Sequence, residues 1–465
     1  MGRFPTKIYG ITALLVFLLS SILVSERSLE SYLEETSEEV ACSMNQTGCK
    51  NDRDEEFNYT AFWRDATIAA QKSLASDRKN ATPTQCPKVY VYDLPWDSID
   101  SKRHPNKFGN PVKLTNDNDR KKFQGYLFKT NQYSFPSILE HRLRQSGMCR
   151  TLNPFKADLF FAPVLTRPKG NGEWNATCQR ITGKMVRKKL VYLNSANACR
   201  HFFAIGKGHT DVTLCDGWFS NPIRELKPLL RLAYSSYSFV VDSDGRHLYD
   251  ENDTTSSTYP NLYSVPYPSS LHFYANKTCP HFSDKFKRRP SLMSFIGKDN
   301  HGDTLVRRRI HSMCDKYADI KVCDYQERFD LNKNPTDKSK AIFCLEPAGD
   351  TPTRKSIADS ITFGCIPVLF SELTDNVAPW FWLDWKDRAR VLVPRSDFVA
   401  GRIDLKILLE SIPQELLNLM QRTLKDKARH FQYSIDDDPE DGIRITLDNL
   451  NRVAKDMEHR GVCGY

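Results

Sequence analysis

The chain has 465 residues, which predicts about two domains, and 40% of its residues are hydrophobic, as in a globular protein. The net charge of +9 is small for this length and no compact Lys/Arg block is present, so nucleic acid is not favoured as a partner and a basic cleft for an anionic substrate stays open. The 13 cysteines are dispersed without a Cys-x-x-Cys pair, which favours disulfides in an oxidising compartment over a zinc site.

The N-terminus has the pattern of a membrane anchor. Residues 8–24 form an apolar run of 17 residues, near the lower limit of roughly 17–25 for a membrane helix. Arg3 and Lys7 precede the run and Glu26 and Glu30 follow it. The positive-inside rule therefore predicts a cytosolic tail at 1–7, a single-pass type II anchor in the lipid bilayer and a body in the lumen. A cleaved signal peptide is the alternative, but no small-x-small cleavage site follows the run.

Asn-x-Ser/Thr sequons agree with a luminal body, because N-glycosylation occurs on that side of the membrane. The predicted glycosylation sites are Asn45, Asn58, Asn80, Asn175, Asn252 and Asn276. Three of these lie in residues 25–85, an acidic stretch rich in Ser and Asn. This composition predicts a partly disordered luminal stem, with a short helix near 62–74.

An α/β domain is predicted over residues 86–275. Val89 and Val91 alternate with tyrosines in a predicted strand at 87–95, and another strand is predicted at 157–163. Helical spacing predicts a helix over 223–232, followed by a strand at 237–241. Alternating strands and helices predict a mostly parallel sheet.

A second α/β domain is predicted over residues 290–430, after a charged join near 275–290. Its first elements are a strand at 291–296, a loop at 297–303 and a helix at 304–313. Helical patterns recur at 405–409 and 415–424, and residues 431–465 are predicted to be a C-terminal helical segment.

Residues 341–370 are predicted to form a strand–loop–helix–strand crossover. The apolar run 341–345 suits a buried parallel strand, and 365–370 suits the next. Between them, Thr351 followed by Pro352 predicts the start of a helix with Thr351 as N-cap. Gly364 predicts the end of that helix.

Two cations in the predicted first turn point to an anion site. Arg354 and Lys355 oppose the positive N-terminal end of the helix dipole, and a bound phosphate would relieve that conflict. Asp359, four residues after Lys355, could accept hydrogen bonds from ribose hydroxyls. The alternative is a solvated Arg354 beside a surface Lys355–Asp359 ion pair worth only ~0.3 kcal/mol. The residues alone leave both interpretations open.

The same segment resembles the signature of exostosin-like glycosyltransferases, glycosyltransferase family 47, and most of all its plant xyloglucan galactosyltransferase-like branch. That branch has a similar Phe-Cys-Leu-x-Pro-x-Gly-Asp stretch, matched here at 343–350, then a Thr-Arg-Arg/Lys-Ser turn and Gly-Cys-Ile-Pro-Val. Similar motifs occur in the expected order at 88–95, 157–163, 265–268 and 294–297. The resemblance covers roughly residues 87–425, most of the predicted luminal body, and several ordered motifs together are more specific than any one alone.

The resemblance implies a GT-B fold, in which two Rossmann-like domains face each other and the nucleotide sugar binds the C-terminal one. It implies a Golgi enzyme that moves a sugar from a UDP-sugar to a polysaccharide or glycan acceptor with inversion, without a tightly bound metal or another cofactor. Arg307 and Arg354 would hold the diphosphate, and Asp359 the ribose. The full set of implied donor-binding residues is Gly297, Lys298, Arg307, Gly349, Asp350, Thr353, Arg354, Lys355 and Asp359.

An inverting transfer needs a base that takes the proton of the acceptor hydroxyl. Family members often carry a Gly-Arg-Asp-His-Phe motif in the N-terminal domain, which residues 198–206 match only in part. His201 is present, but Arg200 replaces the Asp that would orient it. His201 is therefore either a catalytic residue or a buried structural histidine. The other catalytic candidates are His209, Asp211 and Glu346.

Two further functions stay open. Asp242 and Asp244 form a DxD tripeptide, which in a metal-dependent GT-A enzyme would hold Mn²⁺, although an Asp-Gly turn after a strand is favoured. The replacement at Arg200 also fits a non-catalytic partner subunit in a homo- or hetero-oligomer. The sequence does not determine the transferred sugar, the acceptor or the disulfide pairing.

Overall fold

The computed structural model describes residues 57–77, 85–94, 107–145, 147, 149–165, 171–208, 215–234, 240–241, 247–248, 261–275, 277, 282, 289–300, 302–317, 322–327, 336–349 and 351–465. Asn58–Tyr465 forms one compact unit. The predicted cytosolic tail and membrane anchor lie outside the described residues. Within the described residues, no helix combines the length and the apolar character needed to cross a bilayer.

The described strands and helices alternate along most of the chain. The strands are β1 (Val89–Val91), β2 (Leu159–Phe161), β3 (His201–Gly208), β4 (Leu230–Tyr234), β5 (Val240–Val241), β6 (His247–Leu248), β7 (Leu262–Ser264), β8 (Ser291–Ile296), β9 (Cys323–Gln326), β10 (Ala341–Glu346), β11 (Ile366–Leu369) and β12 (Val391–Leu392). The helices are α1 (Tyr59–Asp77), α2 (Asp117–Phe123), α3 (Phe135–Gln145), α4 (Asn171–Arg180), α5 (Gly183–Lys189), α6 (Thr304–Lys316), α7 (Lys355–Thr362), α8 (Glu372–Asp375), α9 (Pro379–Trp382), α10 (Arg395–Val399), α11 (Leu405–Glu410), α12 (Gln414–Lys427) and α13 (Gly442–His459).

The first sheet is parallel and has the strand order β1-β2-β3-β4-β7. Val89 pairs with Leu159 and Phe160 pairs with His201, so the strands neighbour each other in chain order. Every residue of β3 and β4 is buried, as expected of strands covered on both faces. The strands predicted near 87–95 and 157–163 and the mostly parallel sheet are confirmed.

The helix predicted over 223–232 is wrong. Residues Arg224–Leu226 form one 3₁₀ turn and Leu230–Tyr234 form β4. Pro228 lacks the N–H that a helix interior needs, and Arg231 is fully buried within the strand. The Arg231 guanidinium donates to the carbonyls of Phe219 at 2.9 Å and Leu226 at 2.7 Å. These bonds give the carbonyls the partners that a helix would otherwise provide.

The second sheet is also parallel and has the order β12-β11-β10-β8-β9. The chain leaves β8 for β9 on one side and later enters β10 on the other side. Strand order therefore reverses between β8 and β10, and ligands of open α/β sheets bind at such a switch point, beyond the carboxyl ends of the strands. The predicted crossover is confirmed, because β10 and β11 pair in parallel on either side of α7. Two parallel α/β sheets agree with the predicted fold class.

Helix α1 lies inside the predicted stem but packs on the second half of the chain. Trp63 is buried, and its Nε1 donates to the Leu408 carbonyl at 3.0 Å. Ser73 Oγ donates to the Asp384 carbonyl at 2.6 Å. The predicted helix is present and longer than expected, and these contacts make it part of the folded body. Asn58 is exposed just before it.

Five disulfides join all ten cysteines of the described residues. The pairs are Cys86–Cys149, Cys178–Cys215, Cys199–Cys463, Cys314–Cys323 and Cys344–Cys365. The third pair ties the tail after α13 to the residues before β3. The second half of the chain is thus covalently joined to the first sheet at its C-terminus.

Candidate functional site

The loops that follow β8 and β10 meet at the switch point of the second sheet. Gly302 in the first loop has φ of +66°, and a Cβ added there would lie 2.6 Å from the Ala348 carbonyl oxygen of the second loop. Only glycine adopts this backbone conformation without strain and permits this approach. The two loops therefore form one continuous wall.

Gly297 brings two guanidinium groups together. A Cβ added at Gly297 would lie 3.1 Å from Arg307 Nη1 and 3.3 Å from Arg354 Nη2. The glycine N–H donates to the Gln326 carbonyl at 2.9 Å, which fixes the loop to the end of β9. The fold thus places both arginines predicted to bind the diphosphate against Gly297, which is predicted to lie in the same site.

Arg307 clamps the two loops. It is buried in α6, its Nε and Nη2 donate to the Ala348 carbonyl at 3.1 and 3.0 Å, and its Nη1 donates to the Lys298 carbonyl at 2.7 Å. Its guanidinium also lies 5.8 Å from the Phe295 ring centroid. Arg307 therefore shapes the site and adds a fixed positive charge to it.

Arg354 is held more loosely. Its side chain is 20% exposed, and its hydrogen bonds to the carbonyls of Pro347 and Ile296 are long, at 3.5 and 3.3 Å. Its aliphatic stem lies against Gly349, where an added Cβ would lie 3.1 Å from Arg354 Cγ and Cδ. Bonds this long are weak, so this guanidinium can turn toward an anionic ligand.

The predicted helix start at Thr351 is wrong. Helix α7 begins at Lys355, with Arg354 at the N-cap position and without a side-chain cap. Thr351 instead donates from Oγ1 to the Thr353 carbonyl at 2.7 Å, within the loop. Both cations still lie at the helix N-terminus, so the electrostatic conflict with the helix dipole remains. The predicted end is confirmed, because Gly364 follows the helix with φ of +69°.

Lys355 and Asp359 form a largely buried ion pair, and Lys355 also bonds a third residue. Lys355 Nζ donates to both Asp359 oxygens at 3.1 Å and to Ser270 Oγ at 2.8 Å. Burial lowers the pKa of Lys355, and Asp359 opposes this shift. Asp359 Oδ1 also accepts from Ser270 N at 2.6 Å and from Ser269 Oγ at 2.9 Å. This carboxylate therefore holds the segment after β7 against α7, and its role at a ribose stays a prediction.

Glu346 lies at the end of β10, beneath Arg354. It is 1% exposed, and its Oε1 accepts from Lys338 Nζ at 2.7 Å, Ser356 Oγ at 2.9 Å and Ser360 Oγ at 2.5 Å. Burial works to raise the pKa of Glu346, but Lys338 and Arg354 outweigh it, so the net pKa lies below the usual range. The carboxylate is ionised and internally bonded.

The remaining donor-side residues occupy the rim of the same loops. Lys298 is exposed, Gly349 and Thr353 are half-buried, and Asp350 lies outside the described residues. Lys338, Ser269 and Ser270 contact this region from distant positions and are absent from the predicted site. Lys338 lies in a polar stretch with no periodic pattern. Ser269 and Ser270 directly follow the predicted motif at 265–268, which marks the segment but not its contact with α7.

A family model provides the deciding comparison. The Exostosin GT47 domain matches residues 83–402. The chain belongs to the exostosin GT47 family. It is a glycosyltransferase, and the relatives described next carry names of glycosyltransferases.

Two relatives are from Arabidopsis thaliana. A "Probable xyloglucan galactosyltransferase" is 24% identical over 79% of this chain and 83% of its own length. A "Xyloglucan-specific galacturonosyltransferase" is 24% identical over 78% of this chain, which spans about half (54%) of that relative. A solved sucrose-phosphate synthase from Thermosynechococcus elongatus is 10% identical over 64% of this chain and 74% of its own, with a TM-score of 0.33.

In this GT47 glycosyltransferase, His201 has the surroundings of a buried structural histidine. It is 0% exposed and stacks on Phe160 with ring centroids 4.4 Å apart. Nδ1 donates to the Asn197 carbonyl at 3.0 Å, so Nε2 accepts from the Tyr92 hydroxyl at 2.9 Å. Burial lowers the pKa of His201 to about 3. The ring is neutral, and both nitrogens are bonded internally.

Arg200 has a structural role in this glycosyltransferase. It forms an ion pair with Glu458 of α13, beside the Cys199–Cys463 disulfide. The residue that replaces the family's Asp thus helps to fasten the C-terminal helix. Cys199, Glu458 and Cys463 lie within 4.8 Å of one another, but the disulfide excludes them as a metal site.

The other acceptor-half candidates lie outside the described residues. These are His209, Asp211, Asp242 and Asp244. The strands that flank the DxD tripeptide, β5 and β6, pair antiparallel outside the main sheet.

Proposed function

We propose that the chain is a GT-B glycosyltransferase that moves a sugar from a UDP-sugar to a polysaccharide or glycan acceptor, with inversion and without a metal or cofactor. The observation that carries the proposal is Arg354, a loosely bonded guanidinium at the N-terminus of α7, between Gly297 and Gly349. A guanidinium donates two parallel hydrogen bonds to a phosphate group. Both loop glycines leave room for the arginine side chains: Gly297 for the two guanidinium groups and Gly349 for the aliphatic stem of Arg354.

Fixed positive charge supports departure of the nucleoside diphosphate without a metal. Arg307 lies beside Arg354, and Lys355 follows it at the helix start. Preorganised cations stabilise a leaving diphosphate in the transition state, which is the role a bound metal has elsewhere.

The acceptor and compartment follow from different observations. Relatives named for xyloglucan support a xyloglucan-type polysaccharide as acceptor. Five disulfides are typical of an oxidising compartment. Together with the anchor pattern at 8–24, they support a type II protein of the Golgi membrane with a luminal body.

Calorimetric titration of the detergent-purified full-length protein with UDP tests the donor site. Arg354→Ala is expected to weaken binding roughly thirtyfold, because a charge-assisted hydrogen bond contributes about 2 kcal/mol. The matched control is Arg64→Ala, since the Arg64 side chain is 68% exposed on α1. UDP binding that needs Mn²⁺ and disappears in EDTA would reject the metal-free proposal. Equal binding by both variants would reject the site.

A further inference from the structure

The two carboxylate oxygens of Glu346 differ in their hydrogen bonding. Oε1 accepts three hydrogen bonds, from Lys338, Ser356 and Ser360. Oε2 has no hydrogen-bond partner among the described residues and lies 3.8 Å from Arg354 Nη1. A buried carboxylate oxygen without a partner is costly. Among the described residues, Arg354 is the charged group next to this oxygen, whereas Lys338 bonds the other oxygen. The position of Arg354 is therefore informative.

Lys338 balances the charge of Glu346. The two residues are 2% and 1% exposed, and their charged atoms lie 2.7 Å apart. A buried ion needs a counter-ion at contact distance. Lys338 is at hydrogen-bond distance from Glu346, whereas Arg354 lies farther away at 3.8 Å. The Glu346 carboxylate therefore attracts and orients Arg354. Because Lys338 holds the closer position, the positive charge of Arg354 stays available to an anion at the switch point.

We infer that Glu346, with Lys338 as its counter-ion, positions Arg354 for the donor diphosphate. This inference rests on the proposed function for the identity of the ligand. Charges then alternate from Lys338 to Glu346 to Arg354 to the diphosphate. A guanidinium that a nearby carboxylate orients, without strong hydrogen bonds that fix it, loses less side-chain entropy than an unoriented one when the ligand arrives. Glu346 is accordingly a positioning residue and not the base of the transfer.

The double variant Glu346→Gln/Lys338→Met provides the test. Glu346→Gln alone would leave Lys338 buried without a counter-ion and can fail to fold, whereas the double variant removes both charges of the pair. Two quantities are measured in the full-length protein: the phenylglyoxal labelling rate of Arg354 without nucleotide, by peptide mass spectrometry, and the Kd for UDP. Labelling is expected to be at least threefold faster and the Kd about tenfold higher. Exposed Arg64 is the internal labelling control.

Each outcome decides the inference. Unchanged Arg354 labelling in a double variant with a cooperative melt would overturn it. So would an unchanged Kd for UDP, or a loss of UDP-sugar hydrolysis with the Kd unchanged, since the latter would make Glu346 the base. If wild-type protein fails to bind UDP, the proposed function is rejected, and the labelling rates still decide whether Glu346 positions Arg354.

Discussion

At the residue scale, the donor-side cations differ in how far the protein itself satisfies them. Arg307 bonds two backbone carbonyls and Lys355 is paired with Asp359. Arg354 has two long bonds and partial exposure. The sequence marks all three as cations near a phosphate site. It cannot rank them, because their partners come from Ala348, Lys298 and Ser270 in other loops.

Gly297→Ala is expected to weaken UDP binding about tenfold. The added Cβ would lie 3.1 Å from Arg307 Nη1 and 3.3 Å from Arg354 Nη2, so at least one guanidinium must move. Calorimetry with UDP measures the effect. Gly147→Ala is the control, because an added Cβ there meets nothing within 4 Å. Wild-type affinity in Gly297→Ala would show that the two guanidiniums do not form the site.

His201→Gln is expected to flatten the acid dependence of stability. The pKa of His201 is lowered to about 3 by burial, whereas an unfolded histidine titrates near 6.5. The unfolded chain therefore binds more protons between these values. Wild-type stability from this group is present above pH 6.5 and is lost as pH falls toward 3, by up to about 5 kcal/mol.

Urea unfolding of wild type and His201→Gln at pH 7, 5.5 and 4.5 measures this dependence. The difference in free energy of unfolding between the two proteins should shrink as pH falls. The same variant tests catalysis, because a structural histidine predicts that the folded protein keeps its hydrolysis rate. A rate loss of a thousandfold without loss of fold would make His201 the base.

At the element scale, local signals predicted the crossover well. The apolar run of β10, the helix and Gly364 all follow from short-range rules. The helix start was misplaced because Thr351-Pro352 is a strong cap signal, yet Thr351 bonds within the loop. The error at 223–232 has a different cause. The leucine spacing there resembles a helix, but the fully buried Arg231 of β4 bonds backbone carbonyls of the preceding turn. The residue spacing does not show that a buried arginine will bond these carbonyls.

Trp63→Ala tests whether α1 belongs to the folded body. Trp63 is buried and donates to the Leu408 carbonyl, and loss of a buried Trp costs about 3–5 kcal/mol. Ile68→Ala on the same helix is the control, because Ile68 is 44% exposed. Thermal melts of the full-length protein compare them. Equal melting temperatures would mean that α1 is a detachable stem helix.

At the scale of the whole molecule, the two sheets are joined by contacts far apart in sequence. Asp359 holds the segment at Ser269 and Ser270 against α7. Arg200 and Glu458 pair where α13 returns to the first sheet. Composition and motif order predicted two α/β halves, but not these connections, because each joins residues about 90 or more positions apart.

Breaking Cys199–Cys463 should cost more stability than breaking Cys314–Cys323. The sequence separations are 264 and 9 residues, and loop-closure entropy makes the longer crosslink worth about 3 kcal/mol more. Cys199→Ser/Cys463→Ser and Cys314→Ser/Cys323→Ser are compared by urea unfolding. A larger loss in the second variant would mean that packing at each site, and not loop length, sets the effect.

The 264-residue separation of Cys199 and Cys463 also makes most of the protein a covalent ring. The ring holds every strand from β3 to β12, and thus the whole second sheet. A protease that cuts once inside it produces no separate fragment until the disulfide is reduced. Nicked and intact chains should therefore migrate at similar positions in non-reducing electrophoresis. The two fragments of a nicked chain should separate only after reduction. Any chain shortened by three residues at its C-terminus would lose this ring, because it would end before Cys463.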